Sequence, residues 1–302
     1  MSDSTGAAIR AFEHYERIRH RLPLATFGTY SQAVSGLLDL ADDHDVFVLD
    51  GFGVLNVGNT PIPGVPQVVA KLQELGKQVF ILTNAAGYPK LFLMKRYASL
   101  GYAFAPEAVT SSREVMLSHA SGAAQAPVGV MANEQFGRDE LPTDSLFLTG
   151  NPDAYERAET FYLLGSSTWT EARQQLLLRS LQERPRPVFV GNPDLVAPTE
   201  VGLSKEPGSY AHALADETAA MPIFHGKPFP AVFEAISSKL AGDVKPDRIV
   251  MVGDTLHTDI LGGRTVGWKT ALVIGFGVYV DWDFREAIGR SGICPDYIMV
   301  KP

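Results

Sequence analysis

The chain has 302 residues, 45% apolar and 20% charged, with a formal net charge of −8. That length suits one large domain or two, and the composition is that of a folded globular protein, not a disordered or fibrous one. The acidic balance, with no run of lysine or arginine, argues against a nucleic-acid surface. A lone cysteine, Cys294, excludes an internal disulfide and fits a reducing compartment. The N-terminus lacks a basic-then-apolar leader, and no stretch reaches the roughly 20 apolar residues that span a bilayer. The expectation is a cytoplasmic protein with no nucleic-acid and no membrane partner, its oligomeric state open and a homo-oligomer included.

In chain order, a first helix is expected over 7–20, ended by Pro23. An amphipathic helix follows over 31–42, carrying Val34, Leu37, Leu38 and Leu40. Then an alternation begins: strand 46–50, helix 64–75 with Gly76 at its C-cap, strand 78–83, helix 90–100 ended by Gly101, and a short strand over 108–111. Strand–helix–strand alternation with short connections predicts parallel pairing in right-handed βαβ units. From about 115 to 205 the rhythm restarts, with strands at 128–132, 159–164 and 188–190 and a helix over 171–183. This block carries its own apolar segments and turns and reads as an inserted α/β module. The first rhythm then resumes with helix 231–240, strand 248–252, helix 259–265 and strand 270–274. The expected division is a core over 1–114 and 206–302 and an insert over 115–205.

Polar residues stand where the apolar strands of the outer module end. Asp50 follows Val46-Phe47-Val48-Leu49, and Thr83-Asn84 follows Val79-Phe80-Ile81-Leu82. Asp254 follows Ile249-Val250-Met251-Val252-Gly253, while Lys227 sits in Gly226-Lys227-Pro228 before a helix. In a doubly wound sheet such positions converge on one crevice. Their chemistry is coherent. A carboxylate can attack phosphorus and split a hard hydrolysis into two easier steps. Asp50 and Asp254 suit Mg²⁺, which prefers oxygen ligands and offsets developing charge. Lys227 supplies a compact cation, and the Thr83 hydroxyl with nearby N–H groups can hold phosphoryl oxygens.

Read together, Leu49-Asp50-x-x-Gly53-Val54, Leu82-Thr83-Asn84, Gly226-Lys227-Pro228 and Val252-Gly253-Asp254-Thr255-Leu256-x-Thr258-Asp259-Ile260 resemble the haloacid dehalogenase (HAD) superfamily. Pro61-Ile62-Pro63-Gly64 and Gly191-Asn192-Pro193-Asp194 resemble its class IIA branch of sugar-phosphate and 4-nitrophenyl-phosphate phosphatases. The resemblance runs over about 44–280. It implies an α/β fold, a Rossmann-like parallel-sheet core with an inserted C2-type cap. It also implies a Mg²⁺-dependent hydrolase acting through an aspartyl-phosphate on a small phosphorylated metabolite, such as a sugar phosphate.

By the same resemblance, Asp50 is nucleophile and metal ligand. Asp254 and the main-chain carbonyl of Phe52 complete the metal ligands, and Asp259 supports them. Thr83, Asn84, Asn192 and Lys227 bind phosphate or substrate. One position departs from the pattern: the family's second aspartate is Phe52 here. The side chain that protonates the leaving oxygen and later activates water is therefore absent, a function worth about 10²–10⁴-fold. The alternative reading is a catalytically weak or inactive binder of phosphorylated ligands. His257 reads as an exposed or substrate-edge histidine, His225 as structural, and Trp169 and Tyr162 as packing of the insert. Gly275-Phe276-Gly277 lacks the third glycine of a dinucleotide fingerprint.

Overall fold

A computed structural model describes residues 3–199, 202–280 and 282–302. The chain opens with helix α1 (Asp3–Arg17), strand β1 (Gln32–Ala33) and strand β2 (Val46–Leu49); β3 (Asn56–Val57) and β4 (Thr60–Pro61) form a small hairpin. Helix α2 (Val65–Glu74), β5 (Gln78–Thr83), α3 (Lys90–Ser99), β6 (Val109–Ser111) and α4 (Ser112–Ala120) follow. The central part runs through β7 (Val128–Met131), β8 (Leu146–Phe147), α5 (Asp153–Arg157), β9 (Thr160–Leu163) and α6 (Glu171–Glu183). It continues with β10 (Val188–Val190), the hairpin β11 (Val196–Thr199) and β12 (Gly202–Lys205), α7 (Pro207–Glu217) and β13 (Ile223–Phe224). The chain ends with α8 (Pro230–Ser237), β14 (Ile249–Gly253), α9 (Leu261–Thr265), β15 (Lys269–Val273), α10 (Phe284–Ser291) and β16 (Tyr297–Met299).

These strands form two main sheets, each wholly parallel. One has seven strands in the order β1-β16-β15-β14-β2-β5-β6 and the other five in the order β13-β10-β9-β7-β8. The fold is α/β, as the alternation predicts. The centre of the first sheet is β14 beside β2, and every residue of both strands is buried. A strand covered on both faces has no polar side, which is why these two read as unbroken apolar runs. Pairing of Val252 with Leu49 and of Leu49 with Ile81 brings Asp50, Thr83 and Asp254 to the same edge. The Asp50 N–H still donates to the Val252 carbonyl at 2.9 Å, so that residue remains tied to the ladder.

One difference from the sequence reading comes from pairing with a segment distant in the chain. The helix expected over 31–42 is replaced by β1 and a single 3₁₀ turn at Leu37–Leu40. Gln32 and Val34 donate to the carbonyls of Asp296 and Ile298, so the edge of the sheet captures this backbone. Leu37 and Leu40 are still buried, because a three-residue spacing also satisfies a 3₁₀ turn. In the second sheet β13 pairs with β10, and α7 packs against α6 and β10. Among the described residues, no helix is long and apolar enough to cross a membrane.

Helix α1 joins the two parts. Ala8, Phe12 and Tyr15 share one apolar cluster with Leu195, which follows β10, and with Leu256, Ile260 and Leu261 ahead of β15. The Tyr15 hydroxyl accepts from the Leu195 N–H at 3.1 Å, and Arg21 pairs with Asp216 on α7.

Candidate active site

The strand ends of the first sheet open on a cavity of about 540 Å³. Asp50, Thr83 and Asp254 line it from that sheet, Asn133 and Ser166 from the central part, and Asn192 from the joint between them. All of the side chains expected at the site therefore surround one space, apart from Lys227 and Asp259, which lie behind its wall. Lys227 Nζ is 2.5 Å from Asp50 Oδ1 and 2.7 Å from Asp259 Oδ1. Lys227 and Asp259 retain 2% and 1% of their side-chain exposure against 13% for Asp50, so of these three Asp50 is the one an incoming molecule can reach.

Burial dominates the electrostatics. It pushes the Asp50 carboxyl up to about 7, with the Asp259 charge adding to the rise and Lys227 opposing it. Asp254 is driven well above the usual carboxylate range by burial and by the charges of Asp259 and Asp50. For Lys227, burial disfavours the ammonium, but Asp259, Asp50 and Asp194 outweigh it and hold the group above its ordinary value. The site is thus a set of acids held together around one buried cation.

Close backbone approach makes this possible. A Cβ on Gly277 would lie 2.0 Å from Asp254 Oδ2, and one on Gly53, at φ +76°, 2.4 Å from the same oxygen. The Val278 N–H donates to Asp254 Oδ2 at 3.2 Å, and the Thr255 hydroxyl donates to Oδ1 at 2.9 Å. Asn84 holds Lys227 from behind: its Oδ1 accepts from the Lys227 N–H at 2.8 Å, and its Nδ2 donates to the Lys227 carbonyl at 3.0 Å. The same Nδ2 donates to Asp194 Oδ1 at 2.8 Å. Asn192 donates to Glu206 at 3.0 Å and accepts from the Asp194 N–H at 3.0 Å.

Phe52 also lines the cavity, half-buried, with the Arg96 guanidinium 4.8 Å from its ring centre. A cation over the ring face stands where the sequence pattern leads one to look for an acid. His257 is not exposed. It is buried under α1, stacks on Tyr15 at 4.9 Å and places Nε2 2.6 Å from Glu16 Oε1. His225, Tyr162 and Trp169 are buried as packing residues, with Trp169 Nε1 donating to Gln174 at 3.0 Å.

Sequence reasoning gave no role to two side chains here. Arg96 lies in mid-helix, where nothing local marks it. Asp194 has a signal of the same kind as Asp50, a carboxylate just beyond the end of an apolar strand, but in the block read as insert.

Asp50, Asp254 and Asp259 offer one oxygen each, all within 4.8 Å of one another. An all-oxygen set of carboxylates fits a hard divalent cation.

Two family models match the chain: haloacid dehalogenase-like hydrolase over residues 47–141 and HAD-hydrolase-like over 224–298. Chronophin of Homo sapiens is 30% identical over 277 residues, covering 87% of this chain and 92% of that protein. Glycerol-3-phosphate phosphatase of Gallus gallus is 30% identical over 278 residues, covering 84% and 88%. In structure, a possible sugar phosphatase of the HAD superfamily from Cytophaga hutchinsonii matches with a TM-score of 0.78 at 24% identity, covering 90% of this chain and 98% of that one. HAD phosphatases generally use a divalent metal, which agrees with the three carboxylates. Phosphatases among the relatives do not favour the reading as an inactive binder. The chain belongs to the haloacid dehalogenase-like hydrolases and is a phosphate-ester hydrolase of their class IIA branch.

Proposed function

We propose that the protein hydrolyses a small phosphorylated metabolite, a sugar phosphate or related ester, through a phosphoryl group carried on Asp50. One observation supports this above the others: Asp50 lines the cavity, can be reached from it and is paired with a buried lysine. The ion pair aims the carboxylate and keeps a cation beside the phosphate that approaches it. Asp50 attacks phosphorus, the bond from phosphorus to the leaving oxygen breaks, and water then attacks the aspartyl-phosphate to release phosphate and restore the carboxylate.

Mg²⁺, held by Asp50, Asp254 and the Phe52 carbonyl with Asp259 beside them, would offset the charge that builds on the phosphoryl oxygens. Thr83 donates its hydroxyl to a phosphoryl oxygen. Asn84, whose amide is taken up by Lys227 and Asp194, acts by placing Lys227. Asn192 contributes to the substrate side of the cavity.

The first sheet serves as the core and the second as the cap, which screens the reaction from water. The expected insert limits, 115–205, extend to about 224 on this reading, because α7 and β13 belong to the second sheet. A cytoplasmic location agrees with the sequence.

The test is turnover of alkyl, aryl and acyl phosphates with and without Mg²⁺, in the parent chain and in Asp50→Asn. Metal-dependent turnover that Asp50→Asn abolishes supports the reading. Ligand-induced thermal shifts without turnover of any ester contradict it.

A further inference from the structure

Phe52 leaves the reaction without the side-chain acid that position 52 would supply, yet an ester with a poor leaving group needs a proton delivered to its departing oxygen. Outside the cluster of Asp50, Asp254 and Asp259, the acids lining the cavity are Asp194 and Glu206. Glu206 is already engaged, accepting from the Ser204 hydroxyl at 2.5 Å and from Asn192 at 3.0 Å. Asp194 is different. It is only partly buried, it borders the cavity, and one of its oxygens is fixed by Asn84. That Asn84 also holds the main chain of Lys227, so Asp194 is one side chain removed from the residue that pairs with Asp50.

Its backbone is anchored from three directions. The Asp194 N–H donates to Asn192, its carbonyl accepts from the Gly208 N–H at 3.1 Å, and the next residue, Leu195, is tied to Tyr15.

We propose that Asp194 is the general acid and base of this enzyme, in place of the carboxylate that position 52 lacks. This rests on the phosphatase mechanism proposed above. In the first step Asp50 Oδ forms a bond to phosphorus while the bond from phosphorus to the leaving oxygen breaks. The proton of the Asp194 carboxyl passes to that oxygen, which departs as an alcohol. In the second step water oxygen bonds to phosphorus, its proton passes to the Asp194 carboxylate, and the bond from phosphorus to Asp50 breaks. Phosphate leaves, and both acids return to their starting states.

The surroundings suit a group that must hold and release a proton near neutrality. Burial pushes Asp194 up to about 7, with Asp259 and Glu206 adding to the rise and Lys227 and Asn84 opposing it. Asp50 and Tyr15 are the other titratable groups that feel its charge.

The experiment is kcat/KM against leaving-group pKa, for a series of Mg²⁺-supported substrates from alkyl phosphates to 4-nitrophenyl phosphate. An enzyme that protonates the leaving oxygen shows a shallow dependence. Asp194→Asn is expected to steepen it, with kcat on alkyl phosphates falling about 10²–10⁴-fold, a far smaller fall on 4-nitrophenyl phosphate, and KM little changed. Asp194→Glu should recover part of the alkyl activity.

A steep dependence in the parent enzyme overturns the proposal, and that result does not depend on any variant folding. Equal losses on every substrate in Asp194→Asn also overturn it, since a merely positioning residue behaves that way. No turnover of any ester by the parent enzyme would instead refute the phosphatase mechanism itself.

Discussion

Lys227 Nζ lies 2.5 Å from Asp50 Oδ1, and the lysine has almost no contact with solvent. That ion pair ties the end of β2 to the Gly-Lys-Pro turn before α8, two places 177 residues apart in the chain. The charge of its lysine is felt by Asp50, Asp194 and Asp254 alike.

Lys227→Met therefore removes the buried cation that faces Asp50 and Asp259. Breaking a buried pair on one side costs about 3–5 kcal/mol, and the loss should appear as a lower urea midpoint in metal-free protein. Turnover should fall by about 10²–10³-fold, the scale of losing one preorganised charge. A variant as stable and active as the parent would show that the pair is incidental.

The metal's effect on stability should depend on pH. Asp50 and Asp254 are raised in the folded protein, so the metal-free native state binds protons more tightly than the unfolded chain does. The stability these groups contribute is complete below their unfolded value of 3.8 and is lost as pH rises through the folded value, about 7 for Asp50. A divalent ion must displace those protons to bind. The increase in Tm on adding Mg²⁺ should accordingly be small near pH 5 and grow toward about pH 8. Equal shifts at both ends would place the metal elsewhere.

Gly277→Ala should weaken metal binding without replacing a ligand. Its Cβ would come within 2.0 Å of Asp254 Oδ2, so the carboxylate or the loop must move. Overpacking of this kind costs about 1–3 kcal/mol. The sharper readout is the Mg²⁺ concentration at half-maximal activity, which should rise at least about tenfold for a displacement worth 1.4 kcal/mol. An unchanged metal requirement would mean that Asp254 is not a ligand.

Tyr15→Phe removes the hydroxyl that accepts from the Leu195 N–H and leaves that buried donor unpaired. The expected loss is about 1–3 kcal/mol of unfolding free energy, measured in urea. Leu195 adjoins Asp194, so turnover of alkyl phosphates should fall more than the stability change alone explains. Unaltered stability would show that α1 does not brace the joint.

Much of this was legible in the sequence, for a physical reason. Strands buried on both faces must be apolar throughout, so a charged residue at the end of one, as at Asp50 or Asp254, stands out against its background. Parallel pairing then places all such ends on one side of the sheet, which is how Thr83 joins them without any register being known.

What stayed hidden depends on contacts between distant segments. Leu37 and Leu40 are buried as a helix would bury them, but the sheet edge at Asp296 and Ile298 claims the preceding backbone. His257 pairs with Glu16 and is covered by Tyr15, 241 and 242 positions away, so its burial left no local trace. Arg96 over Phe52 and Asn84 on Asp194 are of the same kind: each partner is ordinary alone.

The most direct measurement is mass spectrometry of enzyme quenched in acid during steady-state turnover of an alkyl phosphate with Mg²⁺. Transfer through Asp50 predicts that the peptide containing residues 46–55 gains the mass of one phosphoryl group at Asp50. The modification should vanish when the substrate is allowed to run out before the quench and should be absent from Asp50→Asn. A phosphoryl group on any other residue, or undiminished turnover by Asp50→Asn, would contradict the account.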